Sequence, residues 1–477
     1  MKKIKILHIA TECYPAAKAG GLGDVVGALP LYLPQYGVEA SVVIPKYANK
    51  WFGSQKFTTV KKGHFQMGDS SVQYRVQKLR GDGLGFAFYC IDIPGLFDRE
   101  NVYLGADGEG YADEPERNVA FQTAIMEWLT HGRQSFDGLH CHDHMTGLIP
   151  FMTKYCEAYS HMQEVPIYFT IHNGQYRGEW DWRYGKLLPA HGEHGGVLDW
   201  DGSINGLATA IKTAWHVNTV SPNYMKEIVR DADSLVGLYY SERYKCSGIL
   251  NGVDTVLWNP ATDKFLESHL EAGNWKEFKK ESKRLLTKKY GLKAKAPLVG
   301  FIGRMAWQKG ADILADAIKE LLYDGHKVSF VILGSGDKAI EASLTQLATD
   351  YKGQVATVIA YDEGLARAIY AGCDYLVMPS RFEPCGLNQL FAMRYGTVPV
   401  VSPVGGLVDT VPDVRKGGNG IVAIDADVAS FVVALLRAVE LYGDQKQFLQ
   451  LRQKIAALDY SWVKSAGDYA ALYRKYI

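Results

Sequence analysis

At 477 residues the chain is too long for one hydrophobic core, so two or three domains are expected. Its 52 Lys and Arg balance 52 Asp and Glu, which excludes a global basic field for nucleic acid or a membrane surface and makes any phosphate recognition local. No stretch approaches the roughly 18 apolar residues of a membrane span, and the seven cysteines are dispersed with no C-x-x-C pair, so a disulfide framework is not expected and a reducing, cytoplasmic setting is.

The first half alternates strands with helices. "KILHIA" is an apolar run of strand length. "GGLGDVVGALP" follows, with Leu22, Val25, Val26 and Leu29 on one helical face and Pro30 expected to end or restart the helix. Strands are expected at "EASVVIP", "GFAFYCIDI", "GLHCH", "PIYFTIH" and "WHVNTVS", with long helices such as "RNVAFQTAIMEWLTHG" between some of them. Apolar runs buried on both faces and alternating with helices specify a parallel α/β sheet. From Asn259 to Ala296 the sequence turns polar and Lys-rich, which reads as a solvated linker carrying one amphipathic helix. The α/β pattern then restarts with "PLVGFIGR", the helix "GADILADAIKELLYDG" stopped by Gly325, "KVSFVILGSGD" and "CDYLVMPS". The tail carries Trp462, Ala466, Tyr469 and Tyr473 along one helical side, an aromatic face that has to dock. The fold class is therefore α/β, with two doubly wound, Rossmann-like domains joined near residue 255. Such sheets bind ligands at the carboxyl ends of their strands.

The loops at those ends carry the candidate chemistry. "KAGGLGD", Lys18 to Asp24, opens a helix after the first strand, where amides attract anions. Its spacing is G-x-G-x-x-x-G, some ten residues beyond the strand, so it is not a dinucleotide fingerprint. "GLHCHDHMTG" holds His140, His142, Asp143 and His144; a polar strand-end loop is the better reading and a metal site the sharper one. His172 precedes an Asn-Gly turn and reads as ligand-facing. Arg304 and Lys309 lie on one strand-to-helix loop, a fork and a point charge suited to a diphosphate. "SRFEPCGLNQ" adds Glu383 and the amides of a helix expected to begin near Gly386, and "SPVGGLVDT" adds another Gly-Gly after a strand.

Taken in order, KxGGL at 18–22, HNG-x-Y at 172–176, LNGVD at 250–254, GR…QKG at 303–310, RFEPCGL at 381–387 and GGL-x-DT at 405–410 resemble the bacterial glycogen synthases and plant starch synthases. The resemblance spans nearly the whole chain. It implies a retaining GT-B glycosyltransferase with two Rossmann-like domains facing across a cleft. The acceptor-side domain would cover residues 1–255, joined by the C-terminal helix 460–477, and the nucleotide-sugar domain 256–459. The implied reaction moves glucose from ADP-glucose, or alternatively UDP-glucose, to the non-reducing end of an α-1,4-glucan. No cofactor, metal, nucleic acid or membrane partner is implied. By the same resemblance Arg304 and Lys309 grip the diphosphate, Glu383 contacts the donor glucose, and His172 lies by the reacting carbon. Cys385, Gly386 and Leu387 offer amides, and Asn251 lies near the glucose hydroxyls. Lys18, Gly20 and Gly21 close over the phosphates with Asp24 following. Tyr361 stacks on the base and Thr410 approaches the phosphate.

Ala19, His144, Met145, Arg177, Asn388 and Val404 depart from the family pattern, mostly in the N-terminal half, so the donor chemistry is the firmer implication. Glu383 is read as a sugar-binding acid in preference to a nucleophile. Rival readings are a pyridoxal-phosphate phosphorylase of similar architecture and a non-catalytic glucan-binding protein.

Overall fold

The structure is a computed structural model that describes residues 3–105 and 108–477. The chain divides into two compact units, Met1–Gly252 with Trp462–Ile477, and Val253–Ser461.

Among the described residues, the first unit is built on a nine-stranded sheet. From one edge the strands are Cys246–Gly248, His216–Thr219, Ile167–Ile171, Gly138–His142, Ile4–Ile9, Val38–Pro45, Ala87–Asp92, Ser70–Leu79 and Phe57–Met67. The first seven pair in parallel, and the last two form an antiparallel hairpin. The hairpin was not expected from sequence: its outer strand, "FTTVKKGHFQM", is half-exposed and lacks the apolar runs that mark the buried strands. Gly63 lies opposite Tyr74, and a Cβ there would come within 2.7 Å of the tyrosine ring, so the glycine makes room for it.

The helix Gly21–Tyr32 runs through Pro30, where the sequence pattern had placed a break. Proline removes the N–H that Val26 O would accept; the Cys13 thiol, 3.8 Å away, points at that carbonyl instead. The C-terminal helix Trp462–Arg474 belongs to this unit. Its Trp462, Ala466, Tyr469 and Tyr473 bury against Ile6, Val25, Leu29 and Leu33.

The second unit holds six parallel strands in the order Val355–Ile359, Ser329–Gly334, Leu298–Ile302, Tyr375–Met378, Val398–Val401 and Ile421–Val422. Successive residues go to opposite faces and both faces are apolar. Val299, Phe301, Phe330, Ile332, Tyr375 and Val377 join one core, while Leu298, Val331, Leu333, Leu376 and Met378 join the other.

The Lys-rich stretch departs from the solvated reading. Its helix, Trp275–Tyr290, packs on the helix Glu363–Gly372, and Lys279 and Lys283 are buried. The Lys279 ammonium donates to Tyr370 O (3.2 Å), Tyr395 O (3.3 Å) and Thr397 Oγ1 (2.6 Å). Lys283 reaches Asp374 Oδ2 (2.7 Å), Ala296 O (2.7 Å) and the Tyr442 hydroxyl (3.0 Å). Each ammonium meets three acceptors for its three N–H groups, which is what makes burying it tolerable.

Candidate active site

In the second unit the strand order reverses between Leu298–Ile302 and Tyr375–Met378: one precedes a run winding to one edge, the other a run winding to the opposite edge. Loops from two such strands diverge and leave a crevice at their carboxyl ends. A pocket of about 80 Å³ lies there, lined by residues that include Gly303, Lys309, Ser380, Glu383, Leu387 and Asn388.

Lys309 and Glu383 meet in this crevice. Lys309 Nζ lies 2.8 and 2.7 Å from the two carboxylate oxygens, and Ser380 Oγ donates to Oε2 at 3.0 Å. The carboxylate is nearly buried and the ammonium about three-quarters buried, so these are charge-assisted bonds in a partly desolvated site. An ammonium has three N–H groups. Two can be accounted for by Glu383, and no third acceptor is found among the described residues. Arg304 is exposed, and one of its N–H groups donates to Gln308 Oε1 at 2.8 Å.

The two loops are tied together by residues to which the sequence assigned no bracing role. Arg381 makes a two-pronged pair with Asp312 (2.8 and 2.7 Å), donates to Trp307 O at 2.7 Å and stacks on the Trp307 ring. The Arg381 amide donates to Gln308 O at 3.0 Å. Asn388 donates to Ile302 O at 2.7 Å and accepts from the Tyr370 hydroxyl at 3.0 Å, pinning the second loop to the first strand.

Glycines permit three close approaches. A Cβ on Gly310 would lie 1.9 Å from Pro379 O; one on Gly405 would lie 1.9 Å from Glu383 O, and one on Gly406 2.2 Å from Cys385 O. Gly310 and Gly405 also have φ of +65° and +47°, where an L side chain is strained.

The helix after the acid begins later than the sequence suggests, at Asn388, because Gly386 has φ +72° and lies outside the helical region. Cys385 is buried and Leu387 is the residue at the helix cap. Thr410 is fully buried: its hydroxyl donates to Gly406 O (2.7 Å) and accepts from Gln389 Nε2 (3.1 Å), so that hydroxyl is engaged within the protein. Gln389 also donates to Cys385 O (3.1 Å) and Gly386 O (2.9 Å), which makes it the internal brace of the glycine-rich segment. Tyr361 exposes 88% of its surface, beyond the strand Val355–Ile359.

In the first unit the sheet reverses between Ile4–Ile9 and Gly138–His142, and the candidate residues follow those strands and their neighbour. Lys18 pairs with Asp24 at 2.7 Å. The amides of Ala19 and Gly20 donate to Glu12 Oε2 at 2.6 and 2.8 Å, and the Tyr103 hydroxyl donates to Oε1 at 2.6 Å. Glu12 thus shapes the glycine-rich loop from behind; Gly21 begins the following helix.

The His172 turn is held by Asp143. Its Oδ1 accepts from the amides of His172 (2.7 Å) and Asn173 (3.4 Å), while the Tyr224 hydroxyl accepts from the Gly174 amide at 2.8 Å. Burial pushes the Asp143 carboxyl up to about 7. Asn251 is buried, with Oδ1 unpaired among the described residues.

Ring nitrogens of His8, His140 and His142 lie within 4.8 Å of one another, a spacing a metal could use. They already have partners. His140 meets the Tyr473 hydroxyl (2.8 Å) and Thr170 (2.6 Å) through its two nitrogens, and His8 Nδ1 faces His142 Nε2 at 3.1 Å. A metal would have to break those bonds. His144 stands apart, 3.3 Å from Glu114.

Comparison with known proteins places this architecture. Residues 5–245 match the family described as starch synthase catalytic domain, and residues 296–440 match glycosyl transferases group 1. A glycogen synthase from Flavobacterium johnsoniae is 42% identical over 472 residues, covering 98% of each chain. The catalytic domain of starch synthase IV from Arabidopsis thaliana, solved with ADP and acarbose bound, superposes with a TM-score of 0.88 at 31% identity, over 100% of this chain and 99% of that one. Sucrose-phosphate synthase from Thermosynechococcus elongatus shares the GT-B fold at a TM-score of 0.61 and 18% identity, over 99% and 98% of the two chains. No helix among the described residues is long and apolar enough to cross a membrane. Matched over essentially its whole length by relatives of one kind, the chain belongs to the glycogen and starch synthase family of glycosyltransferases.

Proposed function

We propose that the chain moves glucose from a nucleoside diphosphate glucose, with ADP-glucose as the preferred donor, to the non-reducing end of an α-1,4-glucan with retention of configuration. The second unit takes the donor and the first supplies the acceptor side. The observation that carries this reading is the Lys309–Glu383 pair at the strand-order reversal, whose ammonium has no third acceptor among the described residues. That the starch synthase relative was solved with ADP and acarbose supports the adenine donor and the glucan acceptor; UDP-glucose is the second reading.

The chemistry follows from charge. The bond from the anomeric carbon to the diphosphate oxygen breaks and its electron pair leaves with the phosphate. The ring gains positive character, and a hydroxyl oxygen of the acceptor bonds to the anomeric carbon. The hydroxyl proton goes to the departing phosphate on the same face. Arg304 and Lys309 stabilise the charge that grows on the diphosphate, as preorganised donors do most effectively where water is excluded. Two side-chain cations take the role a metal would otherwise fill. Glu383 orients the sugar, stabilises the ring charge and holds Lys309 in place.

Labelled glucose transfer to glycogen, measured in parallel from ADP-glucose and UDP-glucose, tests the reading. Faster transfer from ADP-glucose is expected; transfer from UDP-glucose alone overturns the donor assignment, and no transfer from either overturns the reaction.

A further inference from the structure

Three buried imidazoles stand in line beneath the His172 turn. His8 Nδ1 lies 3.1 Å from His142 Nε2, and His142 Nδ1 lies 2.9 Å from His172 Nε2. Adjacent parallel strands bring them together: His8 is on Ile4–Ile9, His142 ends Gly138–His142, and His172 follows Ile167–Ile171. Burial holds His8 and His172 down to about 3 and His142 well below its ordinary value. Each ring is therefore neutral near neutral pH and carries one N–H.

The protons can then be counted. Three rings hold three N–H groups, and the two links use one each. The third sits at one end of the line, on His8 Nε2 or on His172 Nδ1. Protonating both ends would leave one link with two bare nitrogens facing each other. His8 Nε2 is sealed from solvent and has no partner among the described residues. An N–H there would be a buried donor without an acceptor, which costs about 1–3 kcal/mol and is rarer in proteins than an unpaired acceptor. His172 retains 8% exposure, and its Nδ1 is not among the sealed, unpaired atoms. The spare proton therefore belongs on His172 Nδ1, and all three rings take the Nδ1–H form. His140 stays outside the line. The Thr170 hydroxyl donates to Asn218 Oδ1 (2.9 Å) and so accepts from His140 Nε2–H, which gives His140 the opposite tautomer.

We propose that His8 and His142 are positioning residues that fix the tautomer of His172, so that it presents Nδ1–H as a hydrogen-bond donor to an acceptor oxygen of the bound sugar. The sugar half of this statement rests on the glucosyl-transfer reading; the tautomer half does not.

Nitrogen NMR of the full chain, with histidine labelled in the ring nitrogens and no ligand added, tests it. The expected result is protonated-type Nδ1 and bare-type Nε2 at His8, His142 and His172, with the reverse at His140. A bare Nδ1 at His172, or an even mixture there, overturns the proposal, as does stoichiometric zinc uptake that moves the His8 and His142 signals. In His142→Phe the link is lost and His172 should relax to a mixture. The KM for the sugar that His172 contacts should then rise about two- to fivefold, the reciprocal of the remaining competent fraction, with kcat nearly unchanged. His142→Asn, which offers an amide N–H near the former Nδ1, should restore both tautomer and KM. An unchanged tautomer and KM in His142→Phe would overturn the relay. The ligand-free measurement needs no substrate, so its failure leaves the glucosyl-transfer reading standing, while absent transfer with the three tautomers in place overturns that reading alone.

Discussion

Moving from about pH 8 to about pH 5.5 should remove about 5 kcal/mol of stability from the first unit. His8, His140, His142, His172 and His216 are buried and held neutral, with values well below the 6.5 of an exposed ring. The unfolded chain binds protons at these rings as pH falls through 6.5 and the folded chain does not. Their contribution is therefore complete above about pH 6.5 and is lost on acidification. One pH unit below 6.5 each ring costs about 1.4 kcal/mol, about 7 for the five. Asp143 opposes them. Held up to about 7, it binds its proton in the fold before the unfolded chain does, so its contribution is present at low pH and lost as pH rises through 7. Over the same interval it returns about 2 kcal/mol. The histidines win. A net loss of about 5 kcal/mol is a large share of the 5–15 kcal/mol typical of a folded domain. Urea unfolding followed by hydrogen exchange in peptides from Ile4–Ile9 and Gly138–His142 reads the first unit separately. An equal or higher midpoint at pH 5.5 would refute the reasoning. Asp143→Asn keeps the oxygen that accepts from the His172 amide and removes the opposing group. It should raise stability at pH 8 by up to about 4 kcal/mol and make the acid loss steeper.

Lys309→Ala or Arg304→Ala should lower turnover by about 10²–10³-fold, the usual cost of one transition-state donor, in initial-rate assays with glycogen; near-normal rates in both would remove the diphosphate assignment. Glu383→Gln releases Lys309 from its ion pair, so turnover should fall about 10²-fold while ADP binding by calorimetry is kept or tightened; weaker ADP binding with normal turnover would reverse the roles given to the pair. Gly405→Ala forces a Cβ onto Glu383 O at a strained φ and should cost at least about 1–3 kcal/mol in thermal unfolding together with activity. Gly443→Ala, with nothing within 4 Å, should cost neither, and equal effects of the two would count against the close-approach argument.

Much of this architecture is written locally. Many of the parallel strands announce themselves as apolar runs, though Cys246–Gly248, Val355–Ile359 and Ile421–Val422 were not expected, and the helix Ala311–Tyr323 is marked by the spacing of Leu314, Ile318, Leu321 and Leu322. What the sequence concealed depends on distant partners. Lys279 and Lys283 look like solvent-facing charges until Thr397 and Asp374, roughly a hundred residues on, supply their acceptors. Pro30 reads as a helix breaker until the Cys13 thiol meets the orphaned carbonyl. Lys309 and Glu383 were legible as a cation and an acid on separate strand-end loops, but their direct contact comes from strand order, which no local pattern encodes. Glu12 and Gln389 were overlooked because each acts on backbone groups of a neighbouring loop, and nothing in "TECYP" or "GLNQL" advertises that. Thr410 shows a further limit: it stands in the matching motif, and only the fold reveals that its hydroxyl is used internally.

The central claim is that the strand-order reversal of the second unit receives the donor's diphosphate. The most direct measurement is a crystal structure of this chain with ADP bound. The pyrophosphate is expected within hydrogen-bonding distance of Lys309 Nζ and the Arg304 guanidinium, beside Glu383. A pyrophosphate seated elsewhere, with Lys309 still closed on Glu383 and Arg304 turned to solvent, would contradict it.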